Sequence, residues 1–144
     1  MRISTKGRYA IRLMLDIAMQ APGVPVRLKD VARRQEISEK YLEQIVSILN
    51  KAGFLRSIRG PQGGYMIQGR PEDYTVGMIL RLTEGSLAPV ECAEDDTFDC
   101  DRGNSCVTRM IWKKMNEAIN GVVDNITVAD LIEWQNAKVD DYVI

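Results

Sequence analysis

The chain has 144 residues, 45% hydrophobic and 27% charged, the balance of an ordinary globular domain with room for a small appendage. Its net charge of −1 hides a division: residues 1–70 hold 13 Lys and Arg against 5 Asp and Glu, a net of +8, whereas residues 71–144 hold 6 against 15, a net of −9. Histidine is absent, which removes the commonest general base and the hub of Ser-His and Cys-His arrangements, so composition argues against an enzyme.

No apolar run approaches the roughly 20 residues that cross a bilayer, and the first residues, Met1-Arg2-Ile3-Ser4-Thr5-Lys6-Gly7-Arg8, lack an apolar signal core. A cytoplasmic location without a membrane partner is the expectation. Such a division suits a basic half that meets a polyanion, and equally a bipolar protein whose charges are simply solvated.

Residues 8–20 are predicted to be helical. Ile11, Met14, Leu15 and Ala18 recur at helical spacing, and Ala10, Leu13 and Ile17 form a second stripe beside them. So wide an apolar arc predicts burial on two sides. Ala21-Pro22-Gly23-Val24-Pro25 breaks the pattern. A short helix over 28–35, a tight turn at Glu36-Ile37 and an N-cap at Ser38 follow. The next helix runs to about Ala52 with Leu42, Ile45, Val46 and Leu49 on one face, and Gly53 suits its C-cap. Residues 54–58 and 65–67 read as strands around the turn Arg59-Gly60-Pro61-Gln62-Gly63-Gly64. Helix, turn, helix and a basic hairpin is the layout of a winged helix-turn-helix.

Residues 75–84 are predicted to form a helix capped by Thr75, and 85–104 an acidic loop of a length that tends to be functional. A long helix from about Ser105 to Val122 carries Val107, Ile111, Met115, Ala118, Ile119 and Val122 in a stripe longer than a small core requires, which predicts a partner helix and a homodimer. Thr127 with Asp130 caps a final helix holding Leu131 and Trp134, and residues 138–144 show no periodicity. The fold expected is mainly α with a small β-wing. Its parts are a winged helix-turn-helix domain (1–84), a cysteine-containing regulatory loop (85–104), a dimerisation helix and final helix (105–137) and a tail (138–144).

A recognition helix reads base edges in the major groove with residues near its N-terminus. Here these are Ser38, Lys40, Tyr41, Glu43 and Gln44. Gln pairs bidentately with adenine and Glu accepts from the cytosine amino group, although a glutamate on a helix face is equally at home in solvent. Tyr41 and Lys40 suit phosphate or mixed contacts. Arg59, at the wing tip among glycines, suits a narrow minor groove, while the glycines alone would also serve a plain hairpin turn. A dimer of such domains expects a near-palindromic stretch of double-stranded DNA. With about four phosphates neutralised per protomer, the log–log salt slope is roughly −7.

Three stretches, Met1-Arg-Ile-Ser-Thr-Lys-Gly-Arg-Tyr-Ala10, Ile37-Ser-Glu-Lys-Tyr-Leu-Glu-Gln44 and Ile58-Arg-Gly-Pro-Gln-Gly-Gly-Tyr65, closely resemble the Rrf-two family of winged-helix regulators, which includes IscR, NsrR and CymR. The resemblance extends over nearly the whole chain. It implies a homodimeric transcription regulator with a long dimerisation helix, base reading by the helix that holds Tyr41, Glu43 and Gln44, and Arg59 in the minor groove.

Cys92, Cys100 and Cys106 follow a C-x7-C-x5-C spacing across the acidic loop and the start of the long helix. An odd count without a C-x2-C pair argues against a disulfide framework or zinc ribbon. Three thiols in one loop could hold an iron–sulfur cluster or stand as free, redox-active thiols, and they match the region where IscR and NsrR carry cluster cysteines. IscR-like members have x5 in the first gap and a histidine where Arg109 stands. The position of an acidic N-terminal ligand in some NsrR-like members is Arg8. The fourth ligand is therefore open among Asp95, Asp99, Asp101, a small molecule or nothing. The surrounding acids are expected to raise the thiol pKa values.

The chain ends Asp140-Asp141-Tyr142-Val143-Ile144. An apolar side chain with a free carboxylate is a compact anchor for a pocket. The stretch resembles the tail with which serine acetyltransferase enters cysteine synthase, and CymR-type regulators of cysteine metabolism are partnered by that enzyme. Tyr142, Val143 and Ile144 are the candidate partner-binding residues.

Overall fold

The computed structural model describes residues 2–142, without the side chains of Asn104, Asp141 and Tyr142. The first helix, α1 (Thr5–Ala18), starts three residues before the predicted point. The reason is a cap: the Ser4 hydroxyl accepts the Gly7 N–H at 3.2 Å, satisfying an orphan donor of the first turn. The expected two-sided burial is present, with Ala10, Leu13, Met14 and Ile17 all buried. Helices α2 (Leu28–Gln35) and α3 (Glu39–Lys51) form the helix-turn-helix. Glu36, with φ 55°, closes α2 in the left-handed region. It leaves Ile37 buried in the turn. The Ser38 hydroxyl then accepts the Tyr41 N–H at 3.3 Å.

Strands β1 (Leu55–Ile58) and β2 (Gly64–Ile67) pair antiparallel, Leu55 opposite Ile67 and Ile58 opposite Gly64. Val26 adds a one-residue bridge to Tyr65. After a 3-10 turn at Pro71–Asp73 comes α4 (Val76–Glu84), capped by Thr75. The stretch predicted as loop contains the one-turn α5 (Glu91–Glu94) and a 3-10 turn at Gly103–Ser105. Leu87 and Ala93 are buried and anchor it. The long helix α6 (Val107–Val123) and the last helix α7 (Val128–Tyr142) complete the chain.

Leu13 and Met14 of α1, Val31 of α2, Leu42, Ile45 and Leu49 of α3, Ile79 of α4 and Val128 of α7 form the dry centre. Helix α1 touches α2, α3, α4, α7 and β2, so it is the central post. Helix α7 is thus built into the same core as the N-terminal elements. Its start is held by the Val128 N–H to the Tyr74 carbonyl at 2.9 Å, and by the Thr127–Asp130 box expected from sequence. Residues 138–142, expected to form part of an aperiodic tail, continue α7. Once a capped turn has nucleated a helix, each further residue adds at little cost, so extension needs no apolar stripe. Helix α6 differs: none of its residues is buried in the single chain.

Candidate nucleic-acid interface

Because α3 buries Leu42, Ile45, Val46 and Leu49, its opposite side must face solvent. Ser38, Lys40, Glu43 and Gln44 are all exposed there. Tyr41 is half-buried, its ring edge-on to Tyr9 of α1 with centroids 5.7 Å apart. The Arg12 guanidinium lies 5.3 Å from the Tyr9 ring centre, and its Nε donates to Gln35 Oε1 at 3.1 Å. Tyr41 is therefore braced by α1 as well as presented at the surface. Ser38 likewise has two duties, since its hydroxyl already caps α3.

A second brace lies beneath the helix-turn-helix. Asp16 on α1 is buried and accepts from Arg34 Nη2 at 2.6 Å, Arg34 Nε at 3.1 Å and Gln35 Nε2 at 2.9 Å. A carboxylate removed from water requires such partners. These donors lock α2 onto α1. Sequence reading missed this brace, although an aspartate flanked by the apolar positions Leu13 and Ile17 was its signal.

The wing grows directly from α3. Gly53 takes φ 80°, and the Phe54 N–H returns to the Leu49 carbonyl at 3.0 Å. At its tip Arg59 is exposed and, among the described residues, makes no hydrogen bond or ion pair. The turn is closed by the Gly63 N–H to the Gly60 carbonyl at 2.9 Å. A Cβ on Gly63 would run into the Ile58 carbonyl, so the close backbone approach requires glycine there.

The far end of α4 ties the N-terminus down. Glu84 accepts from both the N–H and the hydroxyl of Ser4, at 2.6 and 2.7 Å. At the other side of α4, Arg81 donates to Asp124 Oδ1 at 2.5 Å and to Asn120 Oδ1 at 2.8 Å, fixing α6. The arginine's hydrogen bonds hold the Asp124 carboxyl below the usual carboxylate value.

The cysteines occupy three different settings. Cys92 is half-buried on α5, Cys100 is exposed, and Cys106 is half-buried at the N-cap of α6. Arg109 donates from Nε to the Cys92 carbonyl and from Nη2 to the Asp95 carbonyl, both at 2.9 Å. Lys113 pairs with Asp96. The Asp95 carboxylate is taken by the hydroxyl and N–H of Thr97, at 2.7 and 2.8 Å. The expectation that nearby acids raise the thiol pKa values fails at Cys106. The Thr108 hydroxyl, 3.2 Å from Sγ, followed by backbone N–H groups of Arg109 and Thr108 and the charge of Arg102, holds this thiol below its ordinary value. Among the described residues no three Cys, Asp or Glu side chains are grouped to hold a metal ion.

The family described as "Rrf2: Iron-dependent Transcriptional regulator" matches residues 3–134. The chain belongs to the Rrf2 family. IscR of Photobacterium profundum is 39% identical over 138 residues, which span 96% of this chain and 79% of that protein. CymR of Bacillus subtilis is 37% identical over 143 residues, 99% of this chain and 98% of its own. The solved structure of CymR, "the Global Cysteine Regulator of B. subtilis", has a TM-score of 0.81 at 37% identity and covers 93% of this chain and 98% of its own. T. potens IscR has a TM-score of 0.74 at 41% identity, covering 92% and 87%. This Rrf2 protein is a transcriptional regulator and not an enzyme.

The iron dependence in the Rrf2 description sets a test for this chain's own donors. Three thiols are the soft ligands an iron–sulfur cluster takes, so the chemistry suits. The arrangement does not: the Cys92 carbonyl is turned into Arg109, Cys106 stands at the start of α6, and among the described residues no three donors are grouped. As placed, Cys92, Cys100 and Cys106 do not fit a ready-made cluster site. The last tail residues, Val143 and Ile144, and the side chain of Tyr142 lie outside the described residues. No helix among the described residues is long and apolar enough to cross a membrane.

Proposed function

We propose that this Rrf2 protein is a homodimeric repressor that occupies a near-palindromic operator in the cytoplasm. Helix α3 reads the major groove of each half-site through Ser38, Lys40, Tyr41, Glu43 and Gln44, and Arg59 enters the flanking minor groove. The observation that carries this reading is the row of exposed polar side chains on α3, whose other face is wholly core. An arginine without a partner among the described residues stands on the adjoining hairpin. Helix α6, with no buried residue and an exposed Val107, Met110, Ile111, Met115 and Val122, supplies the subunit contact. The test is selection of an operator from random duplexes, followed by binding of variants. Gln44→Ala should cost about 1–3 kcal/mol at one base position and relax specificity there. Equal binding to every sequence before and after the change overturns the reading.

The signal in this proposal enters through the segment 92–106, where Cys106 has its thiolate favoured by surrounding donors. The iron dependence in the family's description and the three soft thiols favour an iron–sulfur cluster as that signal, while the spread of the donors favours bare thiols. Iron analysis and absorption spectra of protein purified without oxygen separate a cluster from bare thiols. A second reading is favoured by the likeness to the B. subtilis cysteine regulator: the chain governs cysteine metabolism, and Tyr142, Val143 and Ile144 dock into cysteine synthase. Deleting Val143 and Ile144 should then abolish that binding, and unchanged binding overturns it.

A further inference from the structure

The wing is too small to hold its own tip in place. Each strand has four residues, and an isolated two-stranded hairpin is at best marginal in water. Its base is secured by the body: the Val26 N–H reaches the Tyr65 carbonyl at 2.9 Å, and the Tyr65 N–H reaches the Val26 carbonyl at 2.8 Å. Gly64 permits this approach, because a Cβ there would sit 2.5 Å from the Val26 carbonyl oxygen. Beyond that bridge, β2 has no further backbone partner from the body among the described residues.

The next residue after Val26 reaches the tip by its side chain. Arg27 Nη2 donates to the Pro61 carbonyl at 2.6 Å, across 34 positions of sequence. Among the described residues this is the one side-chain hydrogen bond between the body and residues 59–63. Arg27 itself stands on a rigid base. It is the N-cap of α2, and its carbonyl accepts the N–H groups of Asp30 and Val31 at 3.0 and 3.2 Å. It has no acidic partner among the described residues, so its fork is not committed to an ion pair. The receiving carbonyl lies two residues past Arg59, within the turn closed by Gly60 and Gly63.

We propose that Arg27 is a positioning residue for DNA binding: it couples the first turn of α2 to the wing tip and thereby sets where Arg59 meets the operator. The inference rests on the reading of Arg59 as a groove contact. It extends that reading to a residue expected neither from the sequence nor from the exposed faces. The competing role for an exposed arginine is a direct phosphate contact, and the two differ in their salt dependence.

The experiment uses the full chain and the selected operator duplex, with Arg27→Met, Arg59→Ala and the double variant. Anisotropy titrations run from 50 to about 200 mM salt. A tether lost from both wings should raise Kd about tenfold at fixed salt, leave the log–log salt slope unchanged, and add nothing in the Arg59→Ala background. Hydrogen exchange of the free protein should quicken over residues 59–63, with unchanged melting temperature. A slope reduced by about 2 for the dimer identifies a phosphate contact instead and overturns the proposal. So does an undiminished loss in the Arg59→Ala background, or unaltered exchange at the tip. If Arg59→Ala alone leaves affinity and specificity intact, it is the groove reading of Arg59 that fails. The exchange result then still judges the tether.

Discussion

Replacing Ile111 with glutamate should split the dimer without unfolding the protomer. Ile111 is 50% exposed in the single chain and lies with Val107, Met110, Met115 and Val122 on a helix that contributes nothing to the buried core. Full burial of an isoleucine side chain is worth about 1.5–3 kcal/mol, so covering the exposed half contributes about 1 kcal/mol. In a two-fold contact each position occurs twice, which makes about 2 kcal/mol per dimer, or roughly a thirtyfold change in dissociation constant. A carboxylate pressed against an apolar face adds a desolvation cost, so thirtyfold is a lower bound. Sedimentation velocity over a dilution series reads the effect directly. Operator affinity should fall with it, because a second half-site contact no longer benefits from tethering. Circular dichroism should be unchanged, since no residue of α6 is buried in the single chain. A variant that stays dimeric at the dilution where wild type begins to dissociate would refute the assignment of α6 as the subunit contact.

Asp16→Ala leaves the Arg34 and Gln35 donors over the buried side of α1 and should cost about 2–3 kcal/mol in chemical denaturation, with operator affinity reduced even well below the melting point. Thr108→Val removes the largest influence lowering the Cys106 thiol, so iodoacetamide modification of Cys106 near neutral pH should slow while Cys100 is unaffected; equal rates would sink the argument. The Arg81–Asp124 pair lowers the carboxyl value, so its stabilisation is fully present above the ordinary aspartate pKa of about 4 and disappears as pH falls through the lowered one. Asp124→Asn should therefore lower the melting temperature above about pH 4, and the difference from wild type should vanish as pH falls through the lowered value. The effect is small because the pair is partly exposed.

The elements of the N-terminal half were legible because each is set by local rules. Alternation of apolar positions at helical spacing marks α1 and α3, Ser38 marks a start, and Gly53 marks a stop. What periodicity misjudged was extent. The first helix began at Thr5, since the cap at Ser4 outweighs the absence of apolar residues in its first turn. The last helix ran through Asp140 because a nucleated helix tolerates a polar stretch. Helix α7 also packs into the first half's core through Val128, a connection over fifty residues that no local pattern carries.

The residues proposed to read bases could be named from sequence for a physical reason: a side chain that must touch a base edge is polar, exposed and opposite the apolar stripe. Their supports obey a different logic. Asp16 with Arg34, Arg27 with Pro61 and Ser4 with Glu84 are pairs separated by 18, 34 and 80 positions. Each joins elements far apart in sequence, so only a three-dimensional arrangement reveals it. The thiols mark the same boundary from the other side. A C-x7-C-x5-C count states how many soft donors a segment owns, but metal binding depends on their convergence. In this chain Arg109 and Lys113 draw the acidic backbone and side chains of residues 92–96 onto α6. Cys106 remains at the helix start with Thr108 as its neighbour. The cations of α6 thus organise this segment, which a count of its cysteines could not reveal.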